Sequence, residues 1–335
     1  MNILVLAGGY SAERDVSLVS GSNIVEALRR RGHRALLLDP YKSIDAQPTF
    51  QALYDAYALE SYSHTIATTE PDLAHLRAQF GDGEALLGRH VLEACRLADV
   101  VFLGLHGSYG ENGQLQAALD LYGIRYTGSG HVGCMLSMDK KISKTLMRLH
   151  GIQTPRDAVL EEKRFPLIVK PACGGSSIGV TIVQSQAELG QAIGLAKSYE
   201  NEILVEEYIA GRLFSVGILD GAALPVIEIC PKSGWFDYAN KYQDGATDEI
   251  CPAHIPGEMA QRMQEMALKV HAALRLGDYS RADFIVGNQG EIYCLEANSL
   301  PGMTPASLLP KEVLAAGISY EELCEKLVQL ALRRT

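Results

Sequence analysis

The sequence predicts an α/β protein that opens on a parallel sheet and continues through strand-rich stretches. Three observations carry this reading. The first 39 residues run strand, turn, helix, strand. A glycine-rich turn within 168–180 joins two apolar strands. Residues 280–298 alternate apolar and polar side chains about a Gly-Asn-Gln-Gly turn. The chain has 335 residues, enough for two or three domains.

NILVLAGG (2–9) is a short β run halted by paired glycines, and SAERDVSLVSGSNIVEALRRRG follows with helical spacing. HRALLLD then reads as a second strand, which gives the β-turn-α-β order of a parallel pair. The first turn lacks GxGxxG, so no dinucleotide site is assigned to it. Residues 41–92 carry little periodicity and predict no definite element. ADVVFLGLHG (98–107) is a buried strand ending at His106-Gly107, and YTGSG (126–130) reads as a linker. MDKKISKTLMRLHG (138–151) predicts one helix with a glycine stop. FPLIVKP and SIGVTIV predict strands, AELGQAIGLAKSY a helix and EILVEEYI a strand. LFSVGIL and ALPVIEI are further strands, followed by a polar loop at 232–250. GEMAQRMQEMALKVHAALR and SYEELCEKLVQLALRR predict helices on either side of the 280–298 hairpin.

Composition narrows the class of function. Forty acidic against 30 basic residues give a net charge of −10, which disfavours a nucleic-acid partner. No apolar run approaches the length needed to span a membrane. The N-terminus lacks the basic region of a signal peptide. Seven scattered cysteines with no CxxC pair predict reduced thiols and a cytoplasmic protein.

The hairpin holds the first candidate chemistry. A turn centred on 287–290 places Arg281 opposite Glu296, with Asp283 on the diagonal. Alternation then puts Arg281, Asp283, Glu296 and Asn298 on one face. Ala282, Phe284, Val286, Tyr293, Leu295 and Ala297 form the opposite, core face. Two carboxylates and an amide suit a hard cation completed by phosphate oxygens. The same residues also suit a structural salt bridge. The register decides, because a one-residue slip separates the groups. In IVKPACGGSSIGV (168–180), Lys170 ends a strand before Gly174, Gly175, Ser176 and Ser177. Such a turn can cradle a phosphate with backbone N–H groups, or be only a turn. Lys140 and Lys144 share a helical face, and a solvated face is the expectation for Lys144.

Taken together, ten stretches resemble the D-alanine–D-alanine ligases of the ATP-grasp fold. They are GGYSAERDVSLVSG, HGSYGENGQLQ, YTGSG, MDKKISK, VKPACGGSSIGV, VEEYIAG, FDYANKY, CPA, RADF and LEANSLPGMTPASLLP, in that order along nearly the whole chain. The resemblance implies an α+β ATP-grasp architecture. A Rossmann-like parallel-sheet domain (1–128) would precede a two-part nucleotide-binding region, with a lid subdomain (129–206) and a catalytic subdomain (207–335).

The resemblance also implies roles. Lys140, Lys170 and Lys241 would contact ATP phosphates, Ser177 would sit in the closing loop, and Glu206, Glu207, Tyr208 and Ile209 would hold adenine. Asp283, Glu296 and Asn298 would ligate two Mg²⁺, or Mn²⁺. Glu13 would hold the first amino acid's ammonium, with His106 near its carboxylate. Glu13, Ser176 and Tyr242 would form a triad that holds the lid. Ser307 and Leu308 would meet the second carboxylate, while Arg281 and the Gly302 N–H would stabilise the oxyanion. The implied reaction consumes ATP and D-alanine, in a cytoplasmic homodimer with neither nucleic acid nor membrane as partner. Its alternatives are a ligase for another amino acid pair and a nucleotide-binding paralogue without turnover. The chain departs from the family pattern at Leu213, where a ribose-binding Glu is usual, at Gly174, and at Asn112, where Asp is common. Tyr242 favours an amine acceptor, because the family's D-alanyl-D-lactate formers have phenylalanine there.

Overall fold

The structure, a computed structural model, describes residues 1–67, 71–162, 164–232 and 245–334. Its strands form three sheets. In the first, β1 (Asn2–Leu6) lies between β2 (Arg34–Leu38) and β3 (Val100–Leu103), all parallel. The strands are almost continuously apolar because both faces are covered. Helix α1 (Arg14–Arg30) makes the crossover from β1 to β2. The featureless stretch at 41–92 contains two short helices, α2 (Phe50–Tyr57) and α3 (Leu73–Phe80), and α4 (Val91–Arg96) precedes β3. Of these, α3 buries no residue, which is why it left no periodic signal.

After β3 come α5 (Ser108–Glu111) and α6 (Gln114–Leu121). YTGSG is not an exposed linker. Thr127 and Ser129 are fully buried, Thr127 Oγ1 accepts the Leu103 N–H at 3.1 Å, and Ser129 Oγ accepts that of Gly277 at 2.9 Å. These residues thread between the first sheet and the third. The helix expected over 138–151 is in fact two, α7 (His131–Met138) and α8 (Lys140–Leu149). Asp139 separates them, because its carboxylate caps the N–H groups of Lys141 and Ile142.

The second sheet is antiparallel, in the order β5 (Thr181–Val183), β4 (Leu167–Pro171), β6 (Ile203–Glu207), and α9 (Gln186–Tyr199) covers it. The strand expected over 177–183 shortens to three residues. Ser176 and Ser177 adopt left-handed φ angles of 51° and 59°, which a pleated strand cannot contain. The third sheet contains β7 (Gly211–Leu219), β8 (Ala222–Ala223), β9 (Ile227–Pro231), β10 (Thr247–Ile250), β11 (Tyr279–Gly287) and β12 (Ile292–Asn298). Part of the polar loop is therefore strand: β10 pairs with β9. Helix α10 (Gly257–Ala273) packs on this sheet, α11 (Leu308–Ala315) contacts β7, and α12 (Tyr320–Arg333) returns to pack on α1.

The hairpin register differs from the expectation. Arg281 pairs with Asn298 and Asp283 with Glu296, and the register shifts between Asp283 and Phe284. Leu295 is the extra residue, and the Cys294 N–H leaves the ladder for the Gln153 carbonyl. One extra residue reverses the alternation. Ile292 and Cys294 therefore join Ala282, Phe284, Val286 and Ala297 in the core, and Tyr293 and Leu295 do not. The bulge falls beyond Glu296, so the four polar residues keep their common face.

Candidate functional site

Two cavities meet where the sheets converge. The larger, about 440 Å³, lies between the second and third sheets. The smaller, about 260 Å³, lies between the first unit and the end of β12. Glu296 lines both.

Lys140, Lys170, Ser177, Glu206, Glu207, Tyr208 and Ile209 all line the larger cavity. Lys140 reaches Glu296 at 3.2 Å and donates to the Gly174 carbonyl, which ties helix α8 to both the turn and β12. Lys170 pairs with Glu206, and so does Lys144. Lys144 is not on a solvated face: only 1% of it is exposed, and it also meets Asp157 at 3.2 Å. The face of α8 that carries Lys140 turns inward, and a residue one turn away turns with it. Arg156 forks Glu207 and Arg212 forks Glu228. Leu213, Ile229 and Ile285 give the cavity an apolar wall.

The floor between the cavities is the polar face of the hairpin. Arg281 grips Asp283 with two bonds of 2.8 Å. Ser215 donates to Asp283 at 2.7 Å, and the Asn298 amide donates to it at 3.2 Å. Burial works against the Arg281 charge, but Asp283 outweighs it and holds the guanidinium above its ordinary value. These groups form a hydrogen-bonded salt bridge. The donor set fits a hard cation: Asp283 and Glu296 face each other across the ladder, and Asn298 adds an amide oxygen. Among the described residues, no three His, Cys, Asp or Glu side chains cluster as a self-sufficient metal site. Any cation here would need further oxygen ligands from water or a substrate.

Glu13, Ser176, His106, Arg281, Asn298, Gly302, Ser307 and Leu308 line the smaller cavity. Glu13 precedes α1 and accepts from the Ser176 hydroxyl, which docks the glycine turn on the first unit. The salt bridge of buried Arg14 to Asp39 fixes the loop that presents Glu13. Ser307 Oγ accepts the Thr304 N–H at 3.1 Å, and a side chain at Gly302 would collide with it at 2.8 Å. Lys241 and Tyr242 lie outside the described residues.

His106 lines the smaller cavity with its ring buried in the wall. Its Nε2 is 3.0 Å from Ser20 Oγ and its Nδ1 is 3.1 Å from the Leu300 carbonyl. Burial lowers its pKa, which favours the neutral ring. Two other residues were missed by sequence reasoning. Glu111 is half-buried, accepts the Gly107 and Leu300 N–H groups, and is pushed up to about 8 by desolvation and then by the Glu13 charge. Its signal was an acid within HGSYGEN, beside the strand end that carries His106. Glu312 on α11 accepts the Gly217 N–H at 3.0 Å, and burial raises it well above the carboxylate range. Nothing local marks it.

Comparison with known proteins agrees with this geometry. The family models described as D-ala D-ala ligase N-terminus and C-terminus match residues 2–129 and 143–329. A D-alanine–D-alanine ligase of Pediococcus pentosaceus is 44% identical, covering 98% of this chain and 97% of the relative. That of Lacticaseibacillus casei is 40% identical over 99% and 96%. The ATP-complexed D-alanine–D-alanine ligase of Bacillus anthracis superposes with a TM-score of 0.75 at 30% identity, covering 99% of this chain and 98% of that one. The VanG D-Ala:D-Ser ligase of Enterococcus faecalis gives 0.73 at 28%, covering 98% of each. With both halves matched by family models and near-complete relatives well above 30% identity, this chain belongs to the D-alanine–D-alanine ligase family.

Proposed function

We propose that this protein joins two D-alanines at the expense of ATP, forming D-alanyl-D-alanine, ADP and phosphate for peptidoglycan precursor synthesis. It acts in the cytoplasm, as a homodimer. The observation that carries the reading is the meeting of the two cavities at Glu296, with Lys140 at 3.2 Å. A nucleotide in the larger cavity would point its phosphates at amino acids in the smaller one.

A carboxylate is a poor electrophile. Its oxygen attacks the γ-phosphorus, ADP leaves, and the resulting D-alanyl phosphate has a good leaving group. Lys140 and Lys170 neutralise the migrating phosphoryl charge, and Lys241 would join them. Asp283, Glu296 and Asn298 would hold two Mg²⁺, or Mn²⁺, which would supply positive charge to neutralise the phosphate oxygens. Glu13 orients the first ammonium. The glycine turn, docked on Glu13 through Ser176, keeps water from the acyl phosphate, with Tyr242 completing that contact. The second amine, deprotonated and anchored by its carboxylate at Ser307 and Leu308, attacks the carbonyl carbon. Arg281 and the Gly302 N–H receive the developing oxyanion, and phosphate departs.

The test is ADP release from Mg-ATP with D-alanine, and identification of the product by mass spectrometry. D-alanine-dependent release with D-alanyl-D-alanine as product supports the reading. Faster turnover when D-serine or D-lactate is supplied as acceptor would refute it.

A further inference from the structure

We infer that the N-terminal unit aims the oxyanion donor of the third sheet, with Ser20, His106 and Glu111 as positioning residues that clamp the two peptide groups meeting at Leu300. This rests on the reading of Gly302 as that donor.

Both polar groups of Leu300 are held from the other side of the cavity. Its N–H donates to Glu111 Oε1 at 3.2 Å, while Glu111 Oε2 accepts the Gly107 N–H at 2.9 Å. Its carbonyl meets His106 Nδ1 at 3.1 Å. A carbonyl can only accept, so Nδ1 carries the proton. Burial favours the neutral ring, in which Nε2 accepts, and among the described residues the Ser20 hydroxyl stands 3.0 Å from it. Ser20 lies on α1 with no exposed surface, and it lines neither cavity. Two relays therefore run from the first unit to the successive peptide planes that meet at Leu300: Ser20 through His106 to the Leu300–Pro301 plane, and Gly107 through Glu111 to the Ser299–Leu300 plane.

The geometry of the chain carries that constraint forward. The Leu300 carbonyl belongs to the planar peptide that joins Leu300 to Pro301. The ring of Pro301 fixes its φ and supplies no N–H of its own. One soft torsion, ψ of Pro301, then separates the clamped plane from the Gly302 N–H. An N–H group aimed at a transition state loses much of its effect when displaced by a fraction of an ångström. Without the clamp, the Leu300 plane could rock and carry the donor with it.

Ser20→Ala is the decisive variant, because residue 20 cannot touch substrate. Glu111→Gln is its companion: the amide NH₂ cannot accept the second of the two N–H groups that Glu111 holds. The readouts are kcat, KM for ATP and D-alanine, and affinity for a phosphinate dipeptide analogue that copies the tetrahedral adduct. We expect kcat to fall about threefold in Ser20→Ala and about tenfold in Glu111→Gln, within the range of a lost or distorted hydrogen bond. Analogue affinity should fall by the same factors, with KM for ATP unchanged. Loss of melting temperature alone, with kcat and analogue affinity intact, would overturn the inference. A raised KM for D-alanine at constant kcat in Glu111→Gln would make Glu111 a substrate ligand and overturn it too. If alanine unfolds the chain, Ser20→Cys gives the same reading. Absence of D-alanine-dependent ADP release in the unaltered protein would instead refute the ligase assignment, so the two failures are distinct.

Discussion

Lys144→Met tests the buried charge cluster beneath the nucleotide cavity. Glu206, 2% exposed, faces Lys144 through one oxygen and Lys170 through the other. Asp157 and Arg148, both on the rim, add a partner for Lys144 and one for Asp157. Methionine fills the lysine's place without its charge, so Glu206 loses one charged hydrogen bond and keeps the other. A lost bond to a buried charged group is worth about 1.5–3 kcal/mol. Stranding the charge altogether would cost about 3–5 kcal/mol, which Lys170 prevents. Methionine is also easier to bury than an ammonium, so we expect a loss of about 2 kcal/mol in a urea titration. Glu206→Gln leaves two buried ammonium groups facing each other and should cost more. Lys144→Met should also raise the KM for ATP, because Glu206 then competes for Lys170 undivided. A stability loss below about 0.5 kcal/mol, or one larger than that of Glu206→Gln, would refute the reasoning.

Other expectations follow from the same geometry. Glu111, raised to about 8 from an ordinary value near 4.5, holds its proton more tightly when folded. Its contribution to stability is full below the unfolded value and is lost as pH rises through about 8, at no more than about 1.4 kcal/mol per pH unit. Melting temperature should therefore decline from pH 5 to 8 more steeply in the native chain than in Glu111→Gln, and parallel curves would contradict this. Asp283→Asn removes one charged ligand and should raise the Mg²⁺ needed for half-maximal turnover about tenfold or more, read from a Mg²⁺ titration; an unchanged requirement would exclude Asp283 as a ligand. Leu213 offers no acceptor, and the nearby Glu207 and Glu228 are occupied by Arg156 and Arg212. We therefore expect 2′-deoxy-ATP to match ATP in kcat/KM within about threefold, whereas a strong preference for the ribonucleotide would show another hydroxyl ligand.

The sequence by itself determined whatever depends on local periodicity and short spacing. The strands of the first sheet are apolar runs broken by glycines, and α1 and α12 carry their apolar stripes openly. The polar face of Arg281, Asp283, Glu296 and Asn298 followed from alternation alone, and it survived a wrong register because the bulge lies beyond Glu296. The parity of the remaining hairpin did not survive, since a single inserted residue leaves no mark in composition. Tertiary structure alone decided which lysine is buried and what each buried charge faces. Lys140 and Lys144 look alike along α8, and only the tertiary fold set Lys140 against Glu296 on β12 and Lys144 against Glu206 on β6. His106, Glu111 and Ser20 acquire meaning only through Leu300, between 189 and 280 residues away in the chain. Hydrogen bonds across such separations depend on how the units dock, and no periodicity of a single segment encodes that.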